Sequence, residues 1–595
     1  MAKNRPENLV SMFFAQAERS RSRPFLWSKH EDSYRAVDWA GAAEQVSALA
    51  LGLRSVGLEA GDRVLLVAEN CPEWLISDIA IMAAGGVTVP AYVTNAEADH
   101  FHILENSGAK GIIVSTERLA RRLLPAAVRS GDLRFLIAIE PLSLEQTSNI
   151  NIFLWSDVLA MGQAASGTIA EAAHKISRDD TACIIFTSGT GGAPKGVMLH
   201  HGALLHNCEG AKEALAALPI ENEVYLSFLP LSHAFEHTAG QFFPIAIGAE
   251  IYYAEGIESL ASNMIDARPT IMTAVPRLCD TLYDKITRGV HRAGGLRQSM
   301  FERALVLGKR RYLAPGSLGL ADRLMDAALD RAVRRKVQGL FGGRLKALVS
   351  GGAPLNPDVG LFFRALGVQV LQGYGQTEAG PVISVNRPSK AKMHTVGPPL
   401  KGVAVRLAED HEILVQGDMV MQGYWRNRDA TCEVLRDGWL HTGDIGEIDA
   451  DGHLRITDRK KDIIVISGGD NISPTRIEGI LILEPEVAQA MVSGNGRPHL
   501  VAILVPNDGW MKEWARAAGK PADLRVLAAD SRFHRSMAAA VERINNKLSA
   551  TEKIRRFVIA HEAFSVENDQ MTPTQKIRRH VITRHYRQAL DALYR

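Results

Sequence analysis

Residues 186–196 read FTSGTGGAPKG, the sharpest local feature of the sequence. The apolar run ACIIF (residues 182–186) leads into it and predicts a buried strand. Four glycines let backbone N–H groups approach phosphate oxygens closely, three hydroxyls add donors, and Lys195 adds a mobile positive charge. A strand ending in such a loop indicates a phosphate-binding site in an α/β protein.

Two other interpretations of this loop need to be weighed. Its glycine and hydroxyl content alone leaves a flexible surface loop open. The phosphate loop of P-loop phosphotransferases requires Gly-Lys followed by Ser or Thr, whereas Lys195 follows Pro194. The spacing therefore disfavours a P-loop phosphotransferase.

Length and composition restrict the class of protein further. A chain of 595 residues exceeds the size of a single hydrophobic core, so at least two domains are expected. A formal net charge of +2 gives no global signal for nucleic-acid binding. The N-terminus lacks an apolar secretion signal, and no stretch approaches the ~20 apolar residues of a membrane span. We therefore expect a cytoplasmic protein, peripheral at most to the inner face of a membrane.

The cysteines agree with a reducing compartment. The five are scattered and form no CxxC pair, which argues against a disulfide framework and against a structural zinc site.

Apolar periodicity predicts the domain organisation. Residues 39–56 and 72–84 show helical spacing around a buried strand at 63–68, as expected for α/β layers. Alternating strands at 445–449 and 453–457, joined by Asp451-Gly452, predict a hairpin. The charged run TDRKKD follows at 457–462. We predict a large N-terminal domain of sheets layered with helices (residues 1–457) and a small mobile C-terminal α/β domain (residues 458–595), with a hinge near 459–462.

The glycine-rich loop resembles that of the adenylate-forming superfamily, whose pattern is [YF]TSG[ST]TGxPKG. This superfamily includes acyl-CoA synthetases and luciferases. The resemblance implies a catalytic role for Lys195, a metal contact for Thr187, and ATP or AMP contacts for Thr187, Ser188, Gly189, Thr190, Gly192 and Lys195. Gly191 departs from the pattern, since a threonine is usual there.

A second match is QGYGQTE at residues 372–378. The resemblance implies that Tyr374 stacks on adenine, that Thr377 contacts the α-phosphate, and that Glu378 helps to hold Mg²⁺ in a catalytic role. A hard carboxylate oxygen suits that ion. The further residues it places at the nucleotide are Gln372, Gly373 and Gly375, with Gly351, Gly352 and Ala353 of the upstream loop SGGAPL.

Three further matches follow in the superfamily's order. GWLHTGD (residues 438–444) resembles the ribose-binding turn, in which Asp444 accepts hydrogen bonds from the ribose hydroxyls. DRKKD (458–462) resembles the hinge, where Arg459 reaches the nucleotide and Lys461 changes its backbone torsions. MTPTQK (571–576) resembles the segment whose catalytic lysine, here Lys576, offsets the repulsion between substrate carboxylate and α-phosphate.

The resemblance also addresses the acyl and thiol substrates. PLSHAFE (residues 230–236) resembles a segment of long-chain fatty acyl-CoA synthetases and places His233 at the acyl pocket, although a core histidine stays open. Ser467, Gly468 and Gly469 would lie along the channel for the pantetheine arm of CoA. Asp470 departs from the long-chain pattern, in which Lys-Tyr is expected at 470–471.

Together these matches imply an ATP-dependent ligase with Mg²⁺ as cofactor and CoA as co-substrate. It would convert a long-chain fatty acid to acyl-AMP and then to a thioester, in an acyl-CoA synthetase/luciferase-like fold. Two alternatives stay open: a fatty acyl-AMP ligase that loads a carrier protein, and a catalytically weak acyl- or nucleotide-binding protein. The expected partners are the small-molecule substrates and no nucleic acid, and a homodimer is left open.

A basic helical insert is predicted between about residues 295 and 345. Residues 297–346 hold twelve Lys or Arg and four Asp or Glu, a net charge of +8. Such a stretch fits contact with an anionic membrane surface, and equally the solvated face of a packed helical hairpin.

Overall fold

The structure is a computed structural model that describes residues 6–143, 150–169, 173–187, 193–468, 470–572 and 576–595. Helices are layered on sheets, so the predicted α/β class is confirmed. The helical segments are Leu9–Ser20, Trp39–Ser55, Pro72–Ala83, Glu97–Ser107, Glu117–Arg129, Trp155–Ala164, His201–Ala214, Ala234–Glu236, His237–Phe242, Phe243–Ile247, Leu260–Ala267, Pro276–Ala293, Gly295–Leu313, Leu320–Leu329, Asp330–Arg334, Arg335–Gly339, Pro357–Ala365, Thr377–Ala379, Arg428–Val434, Pro474–Leu481, Asp508–Ala518, Leu524–Ala528, Ser531–Asn545, Arg579–His585 and Arg587–Ala592.

Sheet I carries the strand that leads into the glycine-rich loop. Its eight strands lie in the order Gly423–Tyr424, Lys195–His200, Thr181–Thr187, Val87–Pro90, Arg63–Val67, Gly111–Val114, Phe135–Ala138 and Asn151–Leu154. The six strands from Thr181–Thr187 onward are parallel, whereas the first two pair in antiparallel fashion. Parallel strands are covered on both faces, which explains their continuous apolar runs.

Sheet II also has eight strands and supplies the second predicted motif. Their order is Val382–Val385, Val370–Gly375, Ala347–Ser350, Ile271–Ala274, Val224–Ser227, Glu250–Tyr253, Pro24–His30 and Ser33–Asp38. The inner pairs are parallel, and the outermost pair at each edge is antiparallel. The motif QGYG therefore ends a strand next to one edge of this sheet.

Three smaller sheets follow in the last third of the chain. Sheet III contains Ala404–Leu407, Glu412–Gln416, Trp439–Ile448, Leu435–Arg436 and Leu454–Arg459. A two-stranded sheet pairs Ile464–Val465 with Asn471–Ile472, and sheet IV contains Val487–Ser493, Leu500–Pro506 and Ile554–Ile559.

The elements predicted from periodicity agree with those observed. The helix predicted at 39–56 is Trp39–Ser55, and Asp38 caps it by accepting a 2.7 Å hydrogen bond from the Gly41 N–H. The predicted hairpin pairs Ile448 with Leu454, and Gly452 in its turn has a φ of +78°.

Residues 464–590 have apolar cores of their own. Buried side chains from this region pack on both faces of sheet IV, for example Leu504 and Phe533 on one and Ile503 and Phe564 on the other. This arrangement fits a separate C-terminal unit, while the boundary at residue 458 stays a prediction.

The predicted insert consists of the helices Gly295–Leu313, Leu320–Leu329 and Arg335–Gly339. The fully buried Arg334 guanidinium donates to the carbonyl oxygens of Ala304, Asp326 and Ala365 and pairs with the Asp326 carboxylate. Within the described ranges, no helix has the length and apolar character needed to cross a membrane.

Candidate active site

The glycine-rich loop joins two antiparallel strands of sheet I. Thr187 pairs with Lys195 at the open end of the two strands, and the Thr187 hydroxyl lies 3.5 Å from the Lys195 carbonyl oxygen. A Cβ on Gly196 would lie 2.8 Å from the Ile184 side chain, so any larger residue would force a shift there. Lys195 therefore lies where the chain returns from the loop to sheet I. The predicted residues Ser188, Gly189, Thr190 and Gly192 lie outside the described residues.

The strand Val370–Gly375 delivers the second motif to the same region. A Cβ on Gly375 would lie 1.9 Å from the Pro381 carbonyl oxygen, so this close approach requires glycine. Gln372 is buried, and its carbonyl oxygen accepts a 2.9 Å hydrogen bond from the Asn386 N–H. After Gly375 the chain turns through the short helix Thr377–Ala379, which carries Glu378.

Tyr374 contacts the predicted ribose-binding acid directly. Its hydroxyl donates a 2.7 Å hydrogen bond to Asp444 Oδ2, and Arg459 Nε lies 3.3 Å from Asp444 Oδ1. Burial raises the pKa of Asp444 above its ordinary value, against the opposing effects of Arg459 and Tyr374. Burial and then the Asp444 charge raise the pKa of Tyr374, so its hydroxyl keeps its proton and remains a donor. Three of the predicted residues therefore form one polar cluster.

Lys576 belongs to the same cluster. Burial and then the positive charge of Arg459 lower the pKa of its ammonium to about 8, whereas Asp444 and Glu378 act in the opposite direction. The Lys576 N–H donates a 3.1 Å hydrogen bond to the Thr572 hydroxyl, and the Thr572 N–H donates to the Lys576 carbonyl oxygen. These bonds tie the backbone of Lys576 to Thr572.

The charge of Lys576 acts on the buried imidazole of His233. Burial and then Lys576 lower the pKa of His233 to about 3, so its imidazole is neutral at physiological pH. Its Nδ1 accepts a 3.3 Å hydrogen bond from the Phe235 N–H. The next residue along the pocket segment, Glu236, is fully buried and accepts a 2.7 Å hydrogen bond from the Ser227 hydroxyl.

The upstream loop touches this pocket segment. A Cβ on Gly351 would lie 3.0 Å from the Phe235 ring, and the Gly351 N–H donates to the Ala274 carbonyl oxygen. Gly352 has a φ of +82°, a conformation that favours glycine, and Ala353 follows it. The predicted adenine-side loop and acyl-pocket segment are therefore neighbours.

Within the predicted hinge, Arg459 belongs to the cluster described above, whereas Lys460 contacts sheet III. Lys460 is held to sheet III by its N–H, which donates to the Gly443 carbonyl oxygen, and by its ammonium 3.2 Å from Glu412 Oε2. Lys461 follows in an exposed turn. The Ser467 N–H donates to the Arg497 carbonyl oxygen within the C-terminal unit. Gly468 lies beside it, and Gly469 is not among the described residues.

Sequence reasoning missed Tyr424 entirely. Its hydroxyl donates a 2.8 Å hydrogen bond to Glu378 Oε1, and the Lys195 ammonium lies 4.9 Å from the centroid of its ring. Tyr424 is 46 residues from Glu378 in the chain, so the contact between the two could not be inferred from neighbouring residues.

Glu378 is the residue in the site that fits a magnesium ion. Among the residues the structure describes, no partner donates to its Oε2, and no group of three or more His, Cys, Asp or Glu side chains could hold a metal. Mg²⁺ is commonly held by one or two carboxylates together with substrate phosphates. The site therefore fits an ion that arrives with a nucleotide.

Comparison with known families gives two matches along the chain. The AMP-binding enzyme family matches residues 13–425, and its C-terminal domain family matches residues 461–595. These two matches together span most of the sequence.

Relatives align over nearly the whole chain. Long-chain-fatty-acid–CoA ligase FadD15 of Mycobacterium bovis is 33% identical, and the alignment covers 99% of this chain and 97% of the relative. Long-chain-fatty-acid–CoA ligase 6 of Mus musculus is 31% identical, with 95% and 83% covered.

Solved structures share the fold. The adenylation domain of a carboxylate reductase from Mycobacterium chelonae superposes with a TM-score of 0.79 at 19% identity, covering 100% of this chain and 92% of that one. The anthranilate CoA ligase AuaEII in complex with anthranoyl-AMP gives a TM-score of 0.74 at 18% identity, covering 99% of both chains.

Proposed function

The chain belongs to the AMP-binding enzyme family, and from this premise we propose how the residues described above carry out its reaction. The protein is an AMP-forming acid–thiol ligase of the long-chain-fatty-acid–CoA type. It uses ATP to convert a fatty acid to an acyl-adenylate, releases pyrophosphate, and then forms a thioester with CoA. The observation that supports the assignment of roles is that the Lys576 ammonium is buried and that the charges of Arg459, Asp444 and Glu378 all act on it.

In the first half-reaction the substrate carboxylate attacks the α-phosphorus of ATP. Two negative groups must approach each other, and the cations Lys576 and Lys195 offset their repulsion. With a pKa of about 8, Lys576 is largely protonated at neutral pH and supplies this charge. His233, whose pKa the Lys576 ammonium helps to lower, is neutral, so it lines the entry of the acyl chain without adding a second charge.

The nucleotide is held by the cluster around Asp444. Its carboxylate, fixed by Tyr374 and Arg459, is oriented to accept hydrogen bonds from the ribose hydroxyls. The adenine lies between the Tyr374 ring and the small residues Gly351, Gly352 and Ala353. Thr377 and Lys195 face the phosphates. Bound Mg²⁺ would neutralise phosphate charge, with Glu378 and Thr187 as its protein contacts.

In the second half-reaction the C-terminal unit rotates about Lys461. Rotation withdraws Lys576 from the cluster and opens a channel along Ser467, Gly468 and Gly469 for the pantetheine arm. The CoA thiolate then attacks the acyl-adenylate, and AMP leaves. Strand contacts fix Lys460 on one side of the turn, which confines the torsional change to Lys461 and its neighbours.

The test is pyrophosphate release with acids from acetate to oleate, for wild type, Lys576→Ala and the exposed control Lys547→Ala. We expect the rate of wild type to peak on long-chain acids. Lys576→Ala should lose adenylation by about 10²-fold or more yet still convert supplied acyl-AMP and CoA to thioester. Equal loss of both half-reactions in Lys576→Ala would contradict the assigned role, and full activity of Lys547→Ala checks the fold.

The insert supports a second proposal, a peripheral contact with an anionic membrane from the cytoplasmic side. Leucines that would normally be buried are exposed on its surface, namely Leu296, Leu313, Leu320 and Leu324, with exposed fractions of 67–81%. Leu313, Leu320 and Leu324 lie within the stretch of net charge +8 and Leu296 immediately precedes it, so apolar insertion and attraction to anionic headgroups would act on the same segment. Sedimentation of the protein in the absence of vesicles also tests whether it forms a homodimer, which the sequence leaves open.

A further inference from the structure

A short strand, Gly423–Tyr424, lies between the strand that carries Lys195 and the turn that carries Glu378. Gly423–Tyr424 pairs with the strand Lys195–His200, and the Trp425 N–H donates a 2.7 Å hydrogen bond to the Gly196 carbonyl oxygen. At its other end, the Met421 N–H donates a 2.9 Å hydrogen bond to the Glu378 carbonyl oxygen. The backbone of residues 421–425 therefore touches both the strand that carries Lys195 and the turn that carries Glu378.

The side chain of Tyr424 also contacts both Lys195 and Glu378. The Lys195 ammonium lies 4.9 Å from the centroid of the Tyr424 ring, within the range of a cation–π interaction. The Tyr424 hydroxyl donates a 2.8 Å hydrogen bond to Glu378 Oε1. One residue thus contacts a cation by its ring face and a carboxylate by its hydroxyl.

The hydrogen bond from Tyr424 engages only one of the two carboxylate oxygens of Glu378. The bond occupies Oε1 and leaves Oε2 without a donor among the described side chains and backbone groups.

We propose that Tyr424 is a positioning residue that sets the spacing and orientation of Lys195 and Glu378 before the nucleotide arrives. The ring holds the ammonium at the mouth of the phosphate loop, and the hydroxyl fixes the carboxylate with one oxygen free for a metal ion. This inference rests on the proposed function, because it assumes that ATP and Mg²⁺ are the ligands of this site.

Two substitutions separate the two contacts. Tyr424→Phe keeps the ring below Lys195 and removes the hydrogen bond to Glu378, whereas Tyr424→Leu removes both. Tyr312→Phe is the matched control, since the Tyr312 hydroxyl also donates one hydrogen bond, to the Ala391 carbonyl oxygen, away from the residues of the site.

The readout is calorimetric binding of ATP with and without Mg²⁺, together with the melting temperature of each full-length variant. We expect Tyr424→Phe to bind metal-free ATP like wild type but to lose about tenfold in apparent Mg²⁺ affinity in the ternary complex, as when a partner that orients a metal ligand is removed. Tyr424→Leu should in addition bind metal-free ATP about threefold more weakly.

A purely structural role would give a different pattern. Melting temperatures would fall in Tyr424→Phe and Tyr312→Phe alike, while the Mg²⁺ and ATP affinities of Tyr424→Phe stayed at the wild-type values, and this outcome would overturn the proposal. If instead wild type binds MgATP but releases pyrophosphate with no acid, the proposed function fails, and the binding comparison still decides the role of Tyr424.

Discussion

Arg579 and Glu478 form a two-point ion pair, with Nη1 2.6 Å from Oε1 and Nη2 2.5 Å from Oε2. Glu478 Oε1 also accepts a 2.6 Å hydrogen bond from the Val492 N–H. The pair ties the helix Arg579–His585, which begins three residues after Lys576, to the helix Pro474–Leu481 and to sheet IV. The position of Lys576, the proposed catalytic lysine, therefore depends on a contact inside the C-terminal unit.

Breaking this pair should destabilise the unit and misplace Lys576. For Glu478→Gln we expect a loss of about 3 kcal/mol in the free energy of unfolding, because the Arg579 charge stays buried without its partner. Adenylation should fall more than thioester formation from supplied acyl-AMP. Denaturant unfolding and the two half-reaction rates measure these effects. The exposed pair Lys512–Asp508 gives the control Asp508→Asn, which should change stability by less than about 0.5 kcal/mol.

The pH dependence of adenylation follows from Lys576. Its pKa of about 8 lies below the ordinary lysine value, and the cation is lost as the pH rises through 8. We expect kcat/KM for ATP to be constant below this pH and to fall about tenfold per pH unit above it. Lys576→Arg stays cationic and should show no such fall, at a lower absolute rate. A wild-type profile that is flat from pH 7 to pH 9.5 would show that this proton is not involved.

The close approach at Gly375 predicts a severe effect of a single methyl group. In Gly375→Ala the new Cβ meets the Pro381 carbonyl oxygen, so the turn between Tyr374 and Glu378 must shift. We expect a loss of about 3 kcal/mol in stability and of most adenylation activity. Gly289→Ala is the control, because a Cβ there meets open space within the helix Pro276–Ala293 and should stabilise by about 0.5–1 kcal/mol. Equal melting temperatures for the two variants would contradict this account.

The exposed leucines of the insert predict selective membrane binding. The double variant Leu320→Ser/Leu324→Ser should lose at least about tenfold in affinity for anionic vesicles, because each leucine contributes about 1.5–3 kcal/mol when it leaves water. Binding of wild type should weaken with salt. Sedimentation with anionic and neutral vesicles measures both effects, and Ile257→Ser serves as a control at an exposed site outside the insert. Equal binding of wild type to the two kinds of vesicle would exclude the proposal.

The parts of the fold that the sequence predicts are those determined by short-range patterns. The buried strand before the glycine-rich loop, the helix after Asp38 and the turn at Gly452 each depend on neighbouring residues, and all are observed. The order of strands in sheets I and II could not be derived, because it depends on packing between residues far apart in the chain.

The same distinction applies to the candidate site: residues in sequence motifs could be predicted, and residues that meet only in the folded chain could not. Asp444, Glu378 and Lys576 lie in motifs, and the structure brings their charges together. Tyr424 has no motif signal, because its contacts with Lys195 and Glu378 arise only when a short edge strand is placed between them. The buried pair of His237 and Asp78, 2.9 Å apart, joins residues 159 positions apart and was equally beyond inference from one sequence.

The separate cores on sheet IV have a consequence for hydrogen exchange. A unit with its own core can open from the rest without global unfolding, at a free-energy cost set by the contacts between the two. Such contacts include the 2.8 Å hydrogen bond from the Asn356 side chain to the Gly479 carbonyl oxygen and the approach of Arg277 to Met571. Amides of the strand Val487–Ser493 would then exchange as a group, independently of those in sheet I. A bound acyl-adenylate that contacts Lys576 and Asp444 together would slow the exchange of both groups at once.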